Sequence, residues 1–266
     1  MTAPWRSAEI RVNGEAFAFP FEELVGVSRA ALVAYLAGRC EAEGVVLRHG
    51  APIADVAALD ADLVIGADGV TSVVRAAGDF GESSVLGDNR FAWLGSREAM
   101  PAMRLTFDQT PHGMLLTAAY PYAADRSTLI VESSEACWRG LALADTLRDR
   151  FPLVDTPATW RQFRAVRTRR LVHGRLALVG DAGASMYYAL GAGTMLAVRG
   201  AAMLATLVCR APSLAAGLAA YDREARGQLD AVQQASEIDL RAMAQLDRLP
   251  PLDPSAFAHA YVRRFG

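Results

Sequence analysis

Cysteine is scarce in this 266-residue chain: Cys40, Cys137 and Cys209 are odd in number and show no CxxC spacing. That excludes a disulfide framework and a thiolate zinc site, and predicts reduced thiols in a cytoplasmic setting with no metal centre. Neither sign of charge is in excess, with 27 Lys+Arg against 29 Asp+Glu. No global field therefore steers the chain toward nucleic acid or an anionic membrane, and neither partner is expected. Apolar runs are broken by charge or glycine short of a bilayer span, and MTAPWRSAEIRV lacks the basic-then-apolar order of a secretion signal. Also missing is any GxGxxG ahead of residue 62. That turn is what seats a dinucleotide pyrophosphate at a helix N-terminus.

What is present suffices for a sizeable core. At 52% hydrophobic and 21% charged, the composition suits one large domain or two small intimate ones. AEIRV and AFAF flank Asn13-Gly14, a strong hairpin signal. Ser28 is placed to cap a helix over RAALVAYLAGRCEAEG, with Leu32, Leu36 and Cys40 on one face and Gly44 at its end. VVLRHG at 45–50 reads as a short buried strand. DLVIG at 62–66 and LALVG at 176–180 are continuous apolar runs that end in Asp-bearing turns, as parallel strands covered on both faces do.

From 90 to 132 the pieces FAWLG, AMRLTF, GMLLTAAYPY and STLIVES are β-rich and separated by turn residues, which predicts an antiparallel sheet. Helical patterns follow around WRGLALADTLRDRFP, over 194–209 and over 213–247. The expected class is α/β (α+β): a Rossmann-like sheet formed by 1–84 and 160–266, an antiparallel substrate lobe over 85–159, and C-terminal helices.

DLVIGADGVTSVVR and RLALVGDAGASMYYALGAGTMLA together resemble the class A flavoprotein aromatic monooxygenases, the hydroxybenzoate hydroxylase superfamily. NRFAWLGS, TPHG, AYPY and STLIVES make the chain most similar to the branch acting on salicylyl-CoA, 2-aminobenzoyl-CoA and tryptophan-derived pigment intermediates. The resemblance runs from about residue 10 to 207 and implies an FAD-binding fold without the family's opening βαβ unit. It implies further that Asp181 holds the flavin ribityl chain, that the 190–194 turn (Leu190, Gly191, Gly193, Thr194) lies by the pyrimidine ring, and that Arg29 reaches toward the flavin. Asp68 and Gly69 belong to the same cofactor set. Ala184, Tyr188, Arg199 and Gly200 depart from the family pattern, and Gly200 weakens its helix by about 1 kcal/mol relative to alanine.

Each of these residues has a plainer reading. Asp68 and Asp181 make turns and helix caps anywhere, and Arg29 could be a solvated first-turn residue. His112 could serve as a general acid or base or be a loop histidine. Tyr120, Tyr187 and Tyr188 could meet substrate, and the last two could instead fill space; His49 and His173 read as structural. Five arginines within 161–170 could bind phosphates or protect a strand edge from pairing.

Three functions are consistent with this reading: a monooxygenase using weakly held FAD or reduced flavin, a flavin-free cyclase, isomerase or lyase in the same cavity, and a non-catalytic partner of a larger oxygenase. An aromatic or thioester small molecule is the expected ligand. A sheet edge left open is expected to be covered by the N-terminal hairpin, by a homodimer, or by an oxygenase or reductase partner.

Overall fold

A computed structural model describes residues 2–154, 158–188, 191, 193–248 and 253–262. The chain runs β1 (Thr2–Val12), β2 (Glu15–Val27), α1 (Arg29–Ala42), β3 (Val64–Gly66), α2 (Val73–Ala76), β4 (Ser83–Ser96), β5 (Met103–Thr110), β6 (Gly113–Ala123) and β7 (Arg126–Ser133). It continues through α3 (Glu135–Gly140), α4 (Leu143–Arg150), β8 (Trp160–Arg167), β9 (Val172–His173), β10 (Leu176–Leu178), a 3-10 turn (Gly180–Ala182), α5 (Gly193–Arg210), α6 (Leu214–Ala244) and α7 (Pro254–Val262). The fold is mixed α/β, with a large, mostly antiparallel sheet, a small sheet that holds a short parallel pair, and C-terminal helices.

Two compact units divide the chain: 1–50, 88–162 and 244–266 form the first, and 51–87 and 163–243 the second. This differs from the expected division, which put residues 1–84 with the parallel strands. The reason is the N-terminal hairpin. Asn13 and Gly14 both take positive φ, so the two-residue turn matches the twist of β1 and β2. β1 then pairs in parallel with β5, Ala8 opposite Met103 through Val12 opposite Phe107. The hairpin thus extends the large sheet, ordered β2-β1-β5-β6-β7-β4-β8, and contributes no strand to the small sheet β3-β10-β9.

In the first unit Ile10, Val12, Phe107 and Tyr261 are buried, and Phe257 and Tyr261 of α7 meet Phe107 edge-on. Ser28 caps α1 as expected, accepting from the Ala31 N–H, and Gly44 follows the helix at φ +79°. No residue of α1 is buried, however. VVLRHG is not a strand: no strand pairs with it, and Val46 is 77% exposed. An apolar run becomes a strand only by sharing hydrogen bonds with a neighbour, which pattern alone does not supply.

In the second unit Val64, Val74, Leu176, Leu178, Leu204, Leu218 and Tyr221 share one core. Tyr221 donates its hydroxyl to the Leu178 carbonyl (2.8 Å), and burial, with Asp222 adding to it, holds that phenol far above its usual range. Among the described helices α5 has the length and composition of a membrane span, which the broken apolar runs did not predict. Arg199 near its middle would cost about 3 kcal/mol in a bilayer centre, while Leu204, Met203, Leu207 and Val208 pack into the unit's core.

Candidate functional site

The two sequence motifs meet as neighbours in the second unit. β3 and β10 pair in parallel with Gly66 opposite Leu178, so the turns carrying Asp68 and Asp181 leave the same ends of adjacent strands. Strand ends of this kind are where open α/β sheets bind ligands. Gly66 is required there: a Cβ would lie 2.7 Å from the Val74 Cβ and 2.9 Å from Leu178 Cδ2. Without it α2 could not lie against the strand.

Asp68 is committed to that helix. Its carboxylate accepts from the N–H groups of Val73 (2.7 Å) and Val74 (3.4 Å). Burial pushes its pKa up, but the hydrogen bonds from Ser72 and from these backbone N–H groups outweigh it, and the net shift is downward. A depressed carboxyl pKa adds stability that is present above the unfolded value and lost as pH falls through the folded one. Gly69, at φ +81°, turns the chain after it.

Asp181 differs, being exposed within the 3-10 turn that follows β10. Gly180 before it takes φ +58°, and a Cβ there would stand 3.0 Å from Ala197, so α5 packs directly against this turn. The segment after the turn is pinned from two sides. Thr168 donates to the Gly183 carbonyl (2.9 Å); Ser185 donates to the Arg164 carbonyl and accepts from the Val166 N–H (both 2.7 Å); Ser236 of α6 accepts from the Tyr187 N–H (2.6 Å). Sequence reading missed these three hydroxyls; their signal was polar residues inside otherwise apolar runs. Ser185 occupies the outer side of β8, the last strand of the large sheet, so the arginine-rich strand is an edge strand, and Arg167 pairs with Asp230 and Glu237.

Tyr187 is 1% exposed and packs edge-on against Phe163, so it fills space; Tyr188 is half-buried with its hydroxyl 3.5 Å from that of Tyr187. Leu190 lies outside the described residues. Gly191 takes φ +63° and donates to the Tyr188 carbonyl, Gly193 opens α5, and Thr194 is exposed in its first turn. A Cβ at Gly191 or Gly193 would meet nothing within 4 Å, leaving the backbone open to close approach. An exposed carboxylate suits sugar-alcohol hydroxyls, and the backbone at Gly193, which starts an 18-residue helix, suits an electron-rich ring edge. The residues therefore fit the ribityl and pyrimidine portions of a flavin. Among the described residues no cluster of His, Cys, Asp or Glu is placed to hold a metal.

The first unit separates two of the proposed catalytic groups. His112 sits in the exposed turn between β5 and β6, against Gly140 of α3. Tyr120 is eight residues along β6, about 25 Å away at strand rise, so the two cannot act on one substrate atom. Tyr120 instead stacks on Trp5 (centroids 6.0 Å), is hydrogen-bonded to Thr128, and lies within the field of Arg29. Burial pushes its phenol up, and Thr128 and Arg29 pull it part of the way back. The buried Trp5 indole N–H has no partner among the described residues. His112→Ala is expected to change turnover by less than about twofold; a loss of the hundredfold size typical of a general acid or base would show that the turn takes part in chemistry.

No protein-family model matches the chain. It is 31% identical over 255 residues to 3-hydroxy-4-methyl-anthranilyl-[aryl-carrier protein] 5-monooxygenase of Streptosporangium sibiricum, covering 92% of this chain and 71% of that protein. It is 30% identical over 263 residues to salicyloyl-CoA 5-hydroxylase of a Streptomyces species, covering 89% of this chain and 51% of the relative. It thus spans between about half and about seven tenths of the length of these two relatives.

Among solved structures, the tetrameric form of 2-methyl-3-hydroxypyridine-5-carboxylic acid oxygenase matches with TM-score 0.74 at 19% identity, over 90% of this chain and 74% of that one. PqsL of Pseudomonas aeruginosa, a probable FAD-dependent monooxygenase, matches with TM-score 0.73 at 19% identity, over 98% and 82%. These structures share the fold. On the sequence relationship, the chain belongs to the flavoprotein aromatic monooxygenases.

Proposed function

We propose that the chain hydroxylates an electron-rich aryl ring carried as a thioester on coenzyme A or a carrier protein, using flavin held at Asp181 and the 191–194 turn. The observation that carries this reading is the exposed Asp181 carboxylate on a turn against which the glycine-opened helix α5 packs. The substrate class is supported by the aryl-carrier and CoA thioesters that the named relatives act on. Asp181 accepts hydrogen bonds from ribityl hydroxyls, the backbone at Gly193 donates to the ring edge, and Thr194 adds a hydroxyl in the first helical turn. Reduced flavin, when bound, supplies the activation of dioxygen.

Asp68 takes no direct part in this reading, because its carboxylate is spent on α2. The flavin-free acid–base reading gains no support from His112 and Tyr120, two of its candidate groups, which lie about 25 Å apart along the strand direction. The hold on flavin within these 266 residues is weak, because the groups identified address the ring and ribityl chain and none addresses adenosine. FAD and FMN are thus expected to bind with affinities within about threefold of each other, each adenosine or pyrophosphate contact otherwise adding about 1.5–3 kcal/mol. Fluorescence titration decides it: a hundredfold preference for FAD would show a nucleotide cradle elsewhere in the chain. The activity itself is tested by supplying salicyloyl-CoA, FAD, a flavin reductase and NADH, and looking by mass for a product heavier by one oxygen atom. No such product from this or 2-aminobenzoyl-CoA would sink the thioester reading.

A further inference from the structure

Between α5, α6 and the turn after β10, the second unit holds a cavity of about 30 Å³. Leu178, Met203, Ala225 and Leu229 give it an apolar wall, and apart from the Tyr221 hydroxyl and Gln228, which is exposed on α6, no polar side chain among the described residues lines it. Polar groups in that wall are already paired. Tyr221 donates to the Leu178 carbonyl (2.8 Å), the Val179 N–H to the Gly66 carbonyl (2.9 Å), and the Gly180 carbonyl accepts from the Gly183 and Ala184 N–H groups (3.0 Å each). A buried water needs about two to four polar partners, so this wall favours an apolar occupant over water.

Gly200 keeps the cavity open. It stands inside α5, where glycine is a poor helix former, and an added Cβ would meet only the Tyr221 hydroxyl, at 3.8 Å. Gly217 of α6 differs, because a Cβ there would lie 2.7 Å from the Val208 Cα. Close packing demands glycine at 217 and does not demand it at 200; what glycine at 200 provides is space.

We propose that this cavity is a dioxygen site that supplies the flavin bound at the Asp181 turn. The supply rests on the flavin reading; the gas site itself does not. Size limits the ligand: an aromatic ring takes a cavity of about 150 Å³, whereas about 30 Å³ suits a diatomic molecule. Dioxygen is apolar enough to leave water for such a wall, and it is the co-substrate that the proposed hydroxylation consumes. Position sets the role. Gly180 and Gly193 line the cavity and also belong to the candidate site, Gly180 directly before Asp181 and Gly193 at the start of α5. At those two positions the wall shared with the site carries no side chain.

The test is methyl NMR of the flavin-free protein under dioxygen pressure, with nitrogen at the same pressure as the blank, because paramagnetic dioxygen speeds the relaxation of methyls it touches. Relaxation at Leu178, Met203, Ala225 and Leu229 is expected to rise at least about threefold more than at Leu129 and Val131, which are buried in the core of the first unit. Gly200→Leu fills the space and is expected to bring that excess down to the level of Leu129 and Val131. In the same variant FAD affinity is expected to stay within about threefold of wild type, and photoreduced FAD to reoxidise in air about threefold more slowly. No excess at the cavity methyls overturns the proposal. So does an excess accompanied by equal reoxidation in wild type and Gly200→Leu, which describes a packing void that only holds gas. If the wild-type protein binds no flavin, the flavin reading fails and the supply with it, while methyl relaxation still decides the gas site. Should Gly200→Leu not fold, Gly200→Ala adds one methyl to the same space and is expected to lower the excess by about half; an undiminished excess there would place the gas elsewhere and refute the site.

Discussion

Replacing Asp181 by alanine is expected to weaken flavin binding about 10- to 100-fold while leaving the melting temperature within about 2 °C of wild type. The first half follows from removing a charged acceptor from ligand hydroxyls, an interaction worth about 1.5–3 kcal/mol. The second follows from where the side chain sits: it is exposed in a 3-10 turn, and the turn itself is held by other groups, the Thr168 hydroxyl on Gly183 and the Arg75 guanidinium on Ala182. Asp68→Ala provides the contrast. It removes the acceptor for the first two N–H groups of α2, costs about 1 kcal/mol of stability, and leaves flavin affinity within about threefold. Fluorescence titration with FMN and thermal unfolding of both variants separate the two carboxylates. Equal flavin affinity in wild type and Asp181→Ala would remove the central residue of the proposed site.

Gly26→Ala is expected to destabilise the first unit by about 3 kcal/mol, lowering its melting temperature by roughly 10 °C. A Cβ at Gly26 would overlap the carbonyl oxygen of Pro121 and stand 3.1 Å from the Trp5 ring. The obstacle is main chain in the middle of a sheet, anchored at a proline, and not the free end of a side chain that could swing aside. Relief requires β2 to lift from β6, which breaks the stacking of Trp5 on Tyr120. Gly38→Ala in α1 is the control: nothing lies within 4 Å of its added Cβ, and alanine there is expected to stabilise the helix by up to about 1 kcal/mol. A melting temperature for Gly26→Ala within about 2 °C of wild type would mean that Gly26 does not lie against the main chain of Pro121.

Local signals in the sequence were read correctly where the physics is local. Asn13-Gly14 dictates a tight hairpin because both residues tolerate positive φ, and Ser28 caps α1 because its hydroxyl reaches a backbone N–H three residues on. The two Asp-bearing strand ends were recognisable because a continuous apolar run closed by Ala-Asp-Gly or Gly-Asp fits few local structures. VVLRHG misled because its strand character depends on a neighbour at hydrogen-bonding distance. The N-terminal hairpin was assigned to the wrong sheet for a related reason: period-two alternation says which face of a strand is apolar, but not which strand lies beside it.

The candidate site divides along the same line. That Asp68 and Asp181 stand in turns after apolar strands was legible from motif and spacing; that one is bonded to the first N–H groups of a helix and the other is exposed was not, since both are aspartates in glycine turns. His112 and Tyr120 looked interchangeable as acid–base candidates until strand rise put them at opposite ends of β6. Arg75 drew no notice as the last residue of a motif, because the Ala182 carbonyl to which it donates is 107 positions away. The sequence by itself determined the turns, caps, apolar strands and the family to which they belong, all of which rest on interactions within a few residues. Only the tertiary structure decided which carboxylate is bonded to the start of a helix and which is exposed, and what holds the two turns together, because burial and hydrogen-bond partners are set by residues that the chain brings close from far along its length.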